Sequence, residues 1–258
     1  MLKDKVIIVS GVGPGMGQAL AKIAALEGAR VVLVARNEAF LADVTSQITA
    51  AGGQAIWKRT DVSSVEDCQA VAAAAVEAYG RIDGLVNSAY LHGDWATCDV
   101  ADPSGWGALY DVNCVGALRM AQAVLPSMRD AGGGAIVNVS TMATVKPFPG
   151  EVAYAASKGA LVVLSRHMAR DLGRFGIRVN AVRMGWIGGA PVFGHIESQV
   201  AAGRPRDEVV GEITARIPLG VIPPEDDCAR SVLALLSDQF KVVTGATLDI
   251  NGGEYMAP

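Results

Sequence analysis

Tyr154 and Lys158, in the run Tyr154-Ala155-Ala156-Ser157-Lys158, set a phenol and an ammonium four residues apart at the start of an apolar segment. Positions i and i+4 share one helical face, so the two groups can act on one proton. A free phenol titrates near 10 and is only about one part in a thousand ionised at pH 7. A lysine charge ~5 Å away, at an effective dielectric of ~20, contributes roughly 3 kcal/mol, or over two pKa units. The spacing predicts a tyrosine whose pKa is lowered by its lysine and which gives and takes a proton.

A second group of residues suits phosphate rather than proton chemistry. Ser10-Gly11-Val12-Gly13-Pro14-Gly15-Met16-Gly17 follows the apolar run Val6 to Val9 and precedes a helical pattern. Glycines there allow a tight turn and let the backbone approach a pyrophosphate, with the helix N-terminus supplying N–H donors. The end of the next apolar run reads Val34-Ala35-Arg36-Asn37. An NAD site commonly carries a carboxylate at that point for the adenosine ribose; here a guanidinium stands instead, suited to a 2′-phosphate. NADP(H) is the favoured cofactor.

These groups need a scaffold, and hydrophobic periodicity supplies one. Apolar strand runs at Val6–Val9, Arg30–Val34, Ala55–Thr60, Ile82–Val86, Ala135–Val139, Ile177–Val182 and Thr247–Ile250 alternate with helical patterns. The helices are expected at Gln18–Leu26, Glu38–Ala51, Val65–Tyr79, Gly105–Met128, Tyr154–Phe175 and Asp226–Leu236. Such alternation predicts an α/β protein with a doubly wound, seven-stranded parallel sheet and helices on both faces. Gly185 to Gly220 shows no clean period and reads as a substrate lid. No repeat or linker divides residues 1–258, so one domain is expected.

Composition narrows the function classes. The chain has 258 residues, 51% apolar and 19% charged, with net charge −4. No basic cluster offers the footprint of a nucleic-acid binder. Cys68, Cys98, Cys114 and Cys228 form no CxxC pair, and His92, His167 and His195 are not at ligand spacing, so neither a disulfide framework nor a metal site is expected. No apolar run approaches the ~18 residues of a membrane span, and no signal peptide is legible, which makes the cytoplasm the default location.

The pattern Gly11-x-x-x-Gly15-x-Gly17, followed in order by Tyr154-x-x-x-Lys158, resembles the short-chain dehydrogenase/reductase family, with Ser10 for the usual threonine of its TGxxxGxG fingerprint. The resemblance runs from Lys5 to about Gly253 and implies a Rossmann fold. It implies a catalytic hydroxyl thirteen positions before the tyrosine, which falls on Thr141 where the family usually has serine; Ser140 is the fallback, facing the other way along a strand. It also implies that Asn113, in Val112-Asn113-Cys114-Val115-Gly116, marks a backbone kink with a held water that links the lysine to solvent. Cofactor contacts are implied at Gly11, Gly15, Met16, Gly17, Arg36, Asp61, Val62, Asn87, Ala89, Tyr154, Lys158, Gly185 and Ile187. Arg178-Val179-Asn180-Ala181-Val182 matches the family's sixth strand. Three departures stand out: Tyr90 replaces the glycine of NNAG, Met184-Gly185 replaces PG, and Gly189 lies near the place of an expected threonine.

The implied reaction is reversible carbonyl–alcohol oxidoreduction. Nicotinamide delivers hydride, Thr141 and Tyr154 bind the carbonyl oxygen, Tyr154 gives the proton, and Lys158 holds the ribose and tunes the phenol. Candidate pocket residues Tyr90, Trp95, Phe148, Trp186 and Phe193 suit a hydrophobic, cyclic or steroid-like ketone, while His195 and Lys146 are candidates for a polar group. An NAD-dependent alcohol dehydrogenase and a cofactor-binding sensor without turnover stay open as alternatives. An enoyl reductase would space its tyrosine and lysine more widely. Assembly as a homotetramer or homodimer is implied by the resemblance.

Overall fold

The computed structural model describes Met1 to Ala257. Seven strands form one parallel sheet in the order β3-β2-β1-β4-β5-β6-β7. They are β1 (Val6–Ser10), β2 (Arg30–Ala35), β3 (Gln54–Arg59), β4 (Gly84–Asn87), β5 (Gly134–Thr141), β6 (Ile177–Met184) and β7 (Thr247–Ile250). The helices are α1 (Met16–Leu26), α2 (Glu38–Ala50), α3 (Val65–Tyr79), α4 (Trp106–Tyr110), α5 (Gly116–Asp130), α6 (Val152–Leu172), α7 (Ala190–Ala201), α8 (Arg206–Thr214) and α9 (Glu225–Ala234).

Alternation along each buried strand divides the interior in two. Ile7 and Val9 of β1 pack with Leu20 and Ile23 of α1, Leu41 and Val44 of α2, and Cys228 and Val232 of α9. Ile8, between them, faces the other way and joins Val71 of α3, Met120 and Val124 of α5, and Leu172 of α6. All five residues of β1 are buried, as a strand covered on both faces requires. Each such aliphatic side chain contributes about 1.5–3 kcal/mol relative to exposure.

The sheet reverses its winding between β1 and β4, and crevices for ligands open at the carboxyl ends of strands at such a point. The glycine turn after β1, Ser88 to Tyr90 after β4 and Thr141 at the end of β5 all gather there.

Three sequence expectations need correction. The helix expected over Gly105–Met128 is broken into α4 and α5 by a π-helical turn at Asp111–Val115. The stretch expected to be irregular holds α7 and α8, which pack around Ile196, Val209, Ile213 and Ile217. Pro191 lies in the first turn of α7 and Pro205 at the N-cap of α8, positions where a missing N–H costs nothing, so both prolines mark helix starts rather than breaks. Finally, β5 and β6 run two residues further than expected, to Thr141 and Met184, which carries both into the crevice.

Candidate active site

The glycine turn is shaped by two kinds of crowding. Gly11 has φ +86°, and a Cβ there would lie 2.3 Å from the Ala89 nitrogen. A Cβ at Gly17 would lie 2.2 Å from the Gly11 carbonyl oxygen. These two glycines bring the turn against the β4 loop and α1 against the turn. Gly13 differs, because a Cβ there would meet nothing within 4 Å. That open space, beside the start of α1, is what a backbone cradle for a pyrophosphate requires, and the chain fits a dinucleotide at this point.

A cleft of about 270 Å³ leads away from the turn, lined by Gly11, Val34, Arg36, Asp61, Val62, Ala89 and Tyr90 among others. Arg36 is exposed, and no ion pair among the described residues engages it. The Asp61 carboxylate accepts hydrogen bonds from the Ser63 backbone N–H at 2.9 Å and its hydroxyl at 2.6 Å. Those bonds, helped by the charges of Arg36 and Arg59, hold Asp61 below the usual carboxylate range.

An adjoining cavity of about 540 Å³ joins this chemistry to the proton-transfer groups. Gly11, Gly15, Met16, Gly17, Tyr90, Thr141, Tyr154, Lys158, Gly185 and Ile187 all line it. Tyr154 stands in the first turn of α6, and Lys158 follows one turn later, as the four-residue spacing predicts. The Thr141 hydroxyl oxygen accepts from the Ala143 backbone N–H at 3.2 Å, leaving its own proton for another acceptor. Ser140 is buried and donates to the Lys158 carbonyl oxygen at 3.2 Å, so it is anchored to α6.

Lys158 is 2% exposed, and its Nζ donates to the Val139 carbonyl oxygen at 2.8 Å. Burial pulls its pKa down to about 7 from an ordinary 10.5. Burial likewise pushes the Tyr154 phenol above its ordinary value, with Tyr90 and Glu151 adding to the effect. The lowered tyrosine pKa expected from the spacing is therefore not present. The reason is that desolvation disfavours both charged forms, so the lysine lacks the dependable charge that the expectation assumed.

Asn113 lies in the π-helical turn, 1% exposed. Its Oδ1 accepts from the Leu91 N–H at 2.7 Å, while its Nδ2 donates to the Leu91 carbonyl oxygen at 2.8 Å and to Ser157 Oγ at 2.9 Å. The side chain thus ties α6 and the β4 loop to the kink. Insertions of this π type recur at functional sites.

A third cavity, about 530 Å³, shares Tyr90, Thr141, Tyr154 and Met184 with the second and is lined further by Trp95, Phe148, Trp186 and His195. Three expected residues are elsewhere, the first being Lys146, whose Nζ donates to Glu254 Oε1 at 2.9 Å away from the cavity lining. Phe193 is 44% exposed and does not line the cavity; Val192 and His195, three apart on α7, present the inward face, and Phe193 is rotated off it. Asn87 points inward, its Nδ2 donating to Asn138 Oδ1 at 2.8 Å and to the Ala117 carbonyl oxygen at 3.3 Å, so it braces β4 against β5 instead of facing the groove.

Residues that the sequence reading missed also line this cavity. His92 and Glu151 stand beside Tyr154, and no spacing rule connects a loop after β4 with the N-cap of α6. Gly189 receives an explanation as well. A Cβ there would lie 2.6 Å from Glu225 Oε2, so a threonine at this position requires the Glu225 carboxyl to swing aside.

The chain is similar to known proteins along nearly its whole length. A family model described as enoyl-(acyl carrier protein) reductase matches residues 11–254. The chain is 34% identical over 252 residues to 2-(S)-hydroxypropyl-CoM dehydrogenase 3 of Xanthobacter autotrophicus, covering 98% of this chain and 97% of that protein. It is 34% identical over 254 residues to 2,5-dichloro-2,5-cyclohexadiene-1,4-diol dehydrogenase LinX of Sphingobium indicum, covering 98% and 96%. Among solved structures, a variant of actinorhodin polyketide ketoreductase with NADPH superposes with TM-score 0.89 at 30% identity, covering 98% of this chain and 99% of that one.

Proposed function

The chain belongs to the short-chain dehydrogenase/reductase family, and from that premise we propose that it is an NADP(H)-dependent oxidoreductase interconverting a carbonyl and a secondary alcohol on a hydrophobic, cyclic substrate. The observation that carries this reading is a single cavity lined by both the glycine turn and the group Thr141, Tyr154 and Lys158. The bound dinucleotide supplies or accepts hydride; everything else falls to the residues of this chain.

Gly11, Gly13, Gly15 and the start of α1 would hold the pyrophosphate, Asp61 and Val62 the adenine, and Arg36 the 2′-phosphate. Gly185 and Ile187 would hold the nicotinamide end. Thr141 donates its hydroxyl proton to the carbonyl oxygen, and Tyr154 transfers a proton to the same oxygen as the carbon is reduced. Lys158 would hold the ribose hydroxyls, and the Asn113 kink beside it is where a proton path to solvent would run.

Tyr90, Trp95, Phe148 and Trp186 give the substrate cavity apolar walls. LinX, by its name, acts on a cyclohexadiene diol, and the actinorhodin enzyme is a polyketide ketoreductase, which supports a ring-bearing substrate, steroid-like in size or smaller. Residues 185–220, with α7 and α8, form its lid. Assembly as a homotetramer or homodimer and a cytoplasmic location complete the reading. No helix among the described residues is long and apolar enough to cross a membrane.

The test is consumption of NADPH and of NADH by the purified protein with a panel of aliphatic, cyclic, aromatic and steroidal ketones. Faster turnover of a cyclic ketone with NADPH supports the reading. Tight NADPH binding without turnover of any ketone moves the protein to the sensor alternative, and preference for NADH moves it to an NAD-dependent enzyme.

A further inference from the structure

We propose that His92 and Glu151 form a second polar subsite in the substrate cavity, which binds an uncharged hydroxyl group carried by the substrate away from the reacting carbonyl. The inference rests on the reductase reading only for taking this cavity as the place of the substrate.

His92 Nε2 and Glu151 Oε1 are 4.0 Å apart. That is too long for a direct hydrogen bond, yet it suits one oxygen placed between them. An oxygen ~2.8 Å from each partner sees them about 90° apart, close to the angle between a hydroxyl's donor and acceptor directions. Such a hydroxyl donates to the Glu151 carboxylate and accepts from the His92 Nε2–H.

The imidazole is fixed for the purpose. Its ring stacks on Trp95 with centroids 4.1 Å apart and on Tyr154 at 4.7 Å, each at an interplanar angle of 22°. The edge carrying Nε2 therefore has a set direction in the plane of the stack, and the subsite lies against the proton donor itself. Among the described residues, neither side chain hydrogen-bonds another side chain, which leaves His92 Nε2 and Glu151 Oε1 for a ligand. A hydroxyl that reaches both atoms gains a hydrogen bond to each, whereas a methyl group in the same place gains neither.

Charge fixes the kind of oxygen. The cavity walls carry Tyr90, His92, Glu151, Tyr154 and His195 as their titratable groups and no lysine or arginine. Burial draws the His92 imidazole below its ordinary value and the Glu151 carboxyl above its own, which leaves no stable cation to receive an anion. A substrate carboxylate would face Glu151 with nothing to neutralise it.

The experiment compares equilibrium binding, by calorimetric titration of the protein alone and of the protein saturated with NADP⁺, of three matched sets. These are 3- and 4-hydroxycyclohexanone, the corresponding methylcyclohexanones, and the corresponding oxocyclohexanecarboxylates. At least one hydroxy ketone is expected to bind about tenfold or more tightly than its methyl counterpart, and the carboxylates more weakly than either. Glu151→Gln should shrink the hydroxyl preference and relieve the exclusion of carboxylates, while His92→Phe, which keeps an aromatic ring in the stack, should shrink the preference alone. Equal binding of hydroxy and methyl ketones by the wild type, no measurable binding of either, or a preference unchanged in both variants overturns the subsite. Turnover of the same ketones with NADPH and NADH is followed separately. Selective binding without hydride transfer would count against the reductase reading and for the subsite; hydride transfer without selectivity would do the reverse.

Discussion

Lys158 Nζ donates to the Val139 carbonyl oxygen at 2.8 Å, linking α6 to β5 inside the protein. One hydrogen bond replaces the several that an ammonium makes in water, and burial takes its pKa to about 7, against 10.5 ordinarily. The folded value is the lower one, so between about pH 7 and pH 10 the unfolded chain binds more protons than the folded chain. Through this group, stability of the cofactor-free protein rises with pH across that window, and the gain is lost as pH falls toward 7. Denaturant titrations between about pH 7 and pH 8, below the range in which the buried Cys68 and Cys228 thiols titrate and oppose the effect, should show that slope in the wild type and a much flatter one in Lys158→Met.

Thr141 stands at the end of β5 with its oxygen already accepting from Ala143, so its proton is the part available to a substrate. Thr141→Ser keeps that proton and is expected to keep kcat within a few-fold. Thr141→Val removes it and should lower kcat about 100-fold, as loss of one donor to a developing oxyanion commonly does. Steady-state kinetics on one ketone check both; a fully active valine variant would remove Thr141 from the reaction.

Arg36 is exposed at the end of β2 and unpaired by any carboxylate among the described residues. A charge-assisted hydrogen bond contributes about 1.5–3 kcal/mol. Arg36→Ala should therefore weaken NADPH binding tenfold or more and leave NADH within about twofold, read from dissociation constants. Equal affinities of the wild type for the two cofactors would discard the assignment.

Gly17 predicts a stability effect independent of any ligand. Alanine there would put a methyl group 2.2 Å from the Gly11 carbonyl oxygen, a backbone atom that cannot swing aside. Gly17→Ala should cost about 3 kcal/mol or prevent folding, whereas Gly13→Ala, with open space around it, should fold normally. Thermal denaturation distinguishes the two.

The strands were legible because a sheet covered on both faces demands unbroken apolar runs, and Val6 to Val9 or Arg30 to Val34 allow few other readings. Tyr154 and Lys158 were legible because one helix fixes their relation. Pro191 and Pro205 hid α7 and α8, since proline starts helices as readily as it ends them. Asn87 and Phe193 were misplaced because motif position and aromatic character do not say which way a side chain turns. The tyrosine's titration was misjudged for a different reason: spacing gives the neighbour's charge but not its desolvation. His92 and Glu151 lie far apart in sequence, and only the fold places them 4.0 Å apart.

In the proposed reaction Tyr154 gives the proton while hydride reduces a carbonyl. Tyr154→Phe keeps the ring that stacks on His92 and removes only the hydroxyl. With any cyclic ketone that the wild type reduces, this variant is expected to bind NADPH within a few-fold of wild type and to oxidise it at least 100-fold more slowly. Turnover at the wild-type rate would contradict the account and place the acid elsewhere.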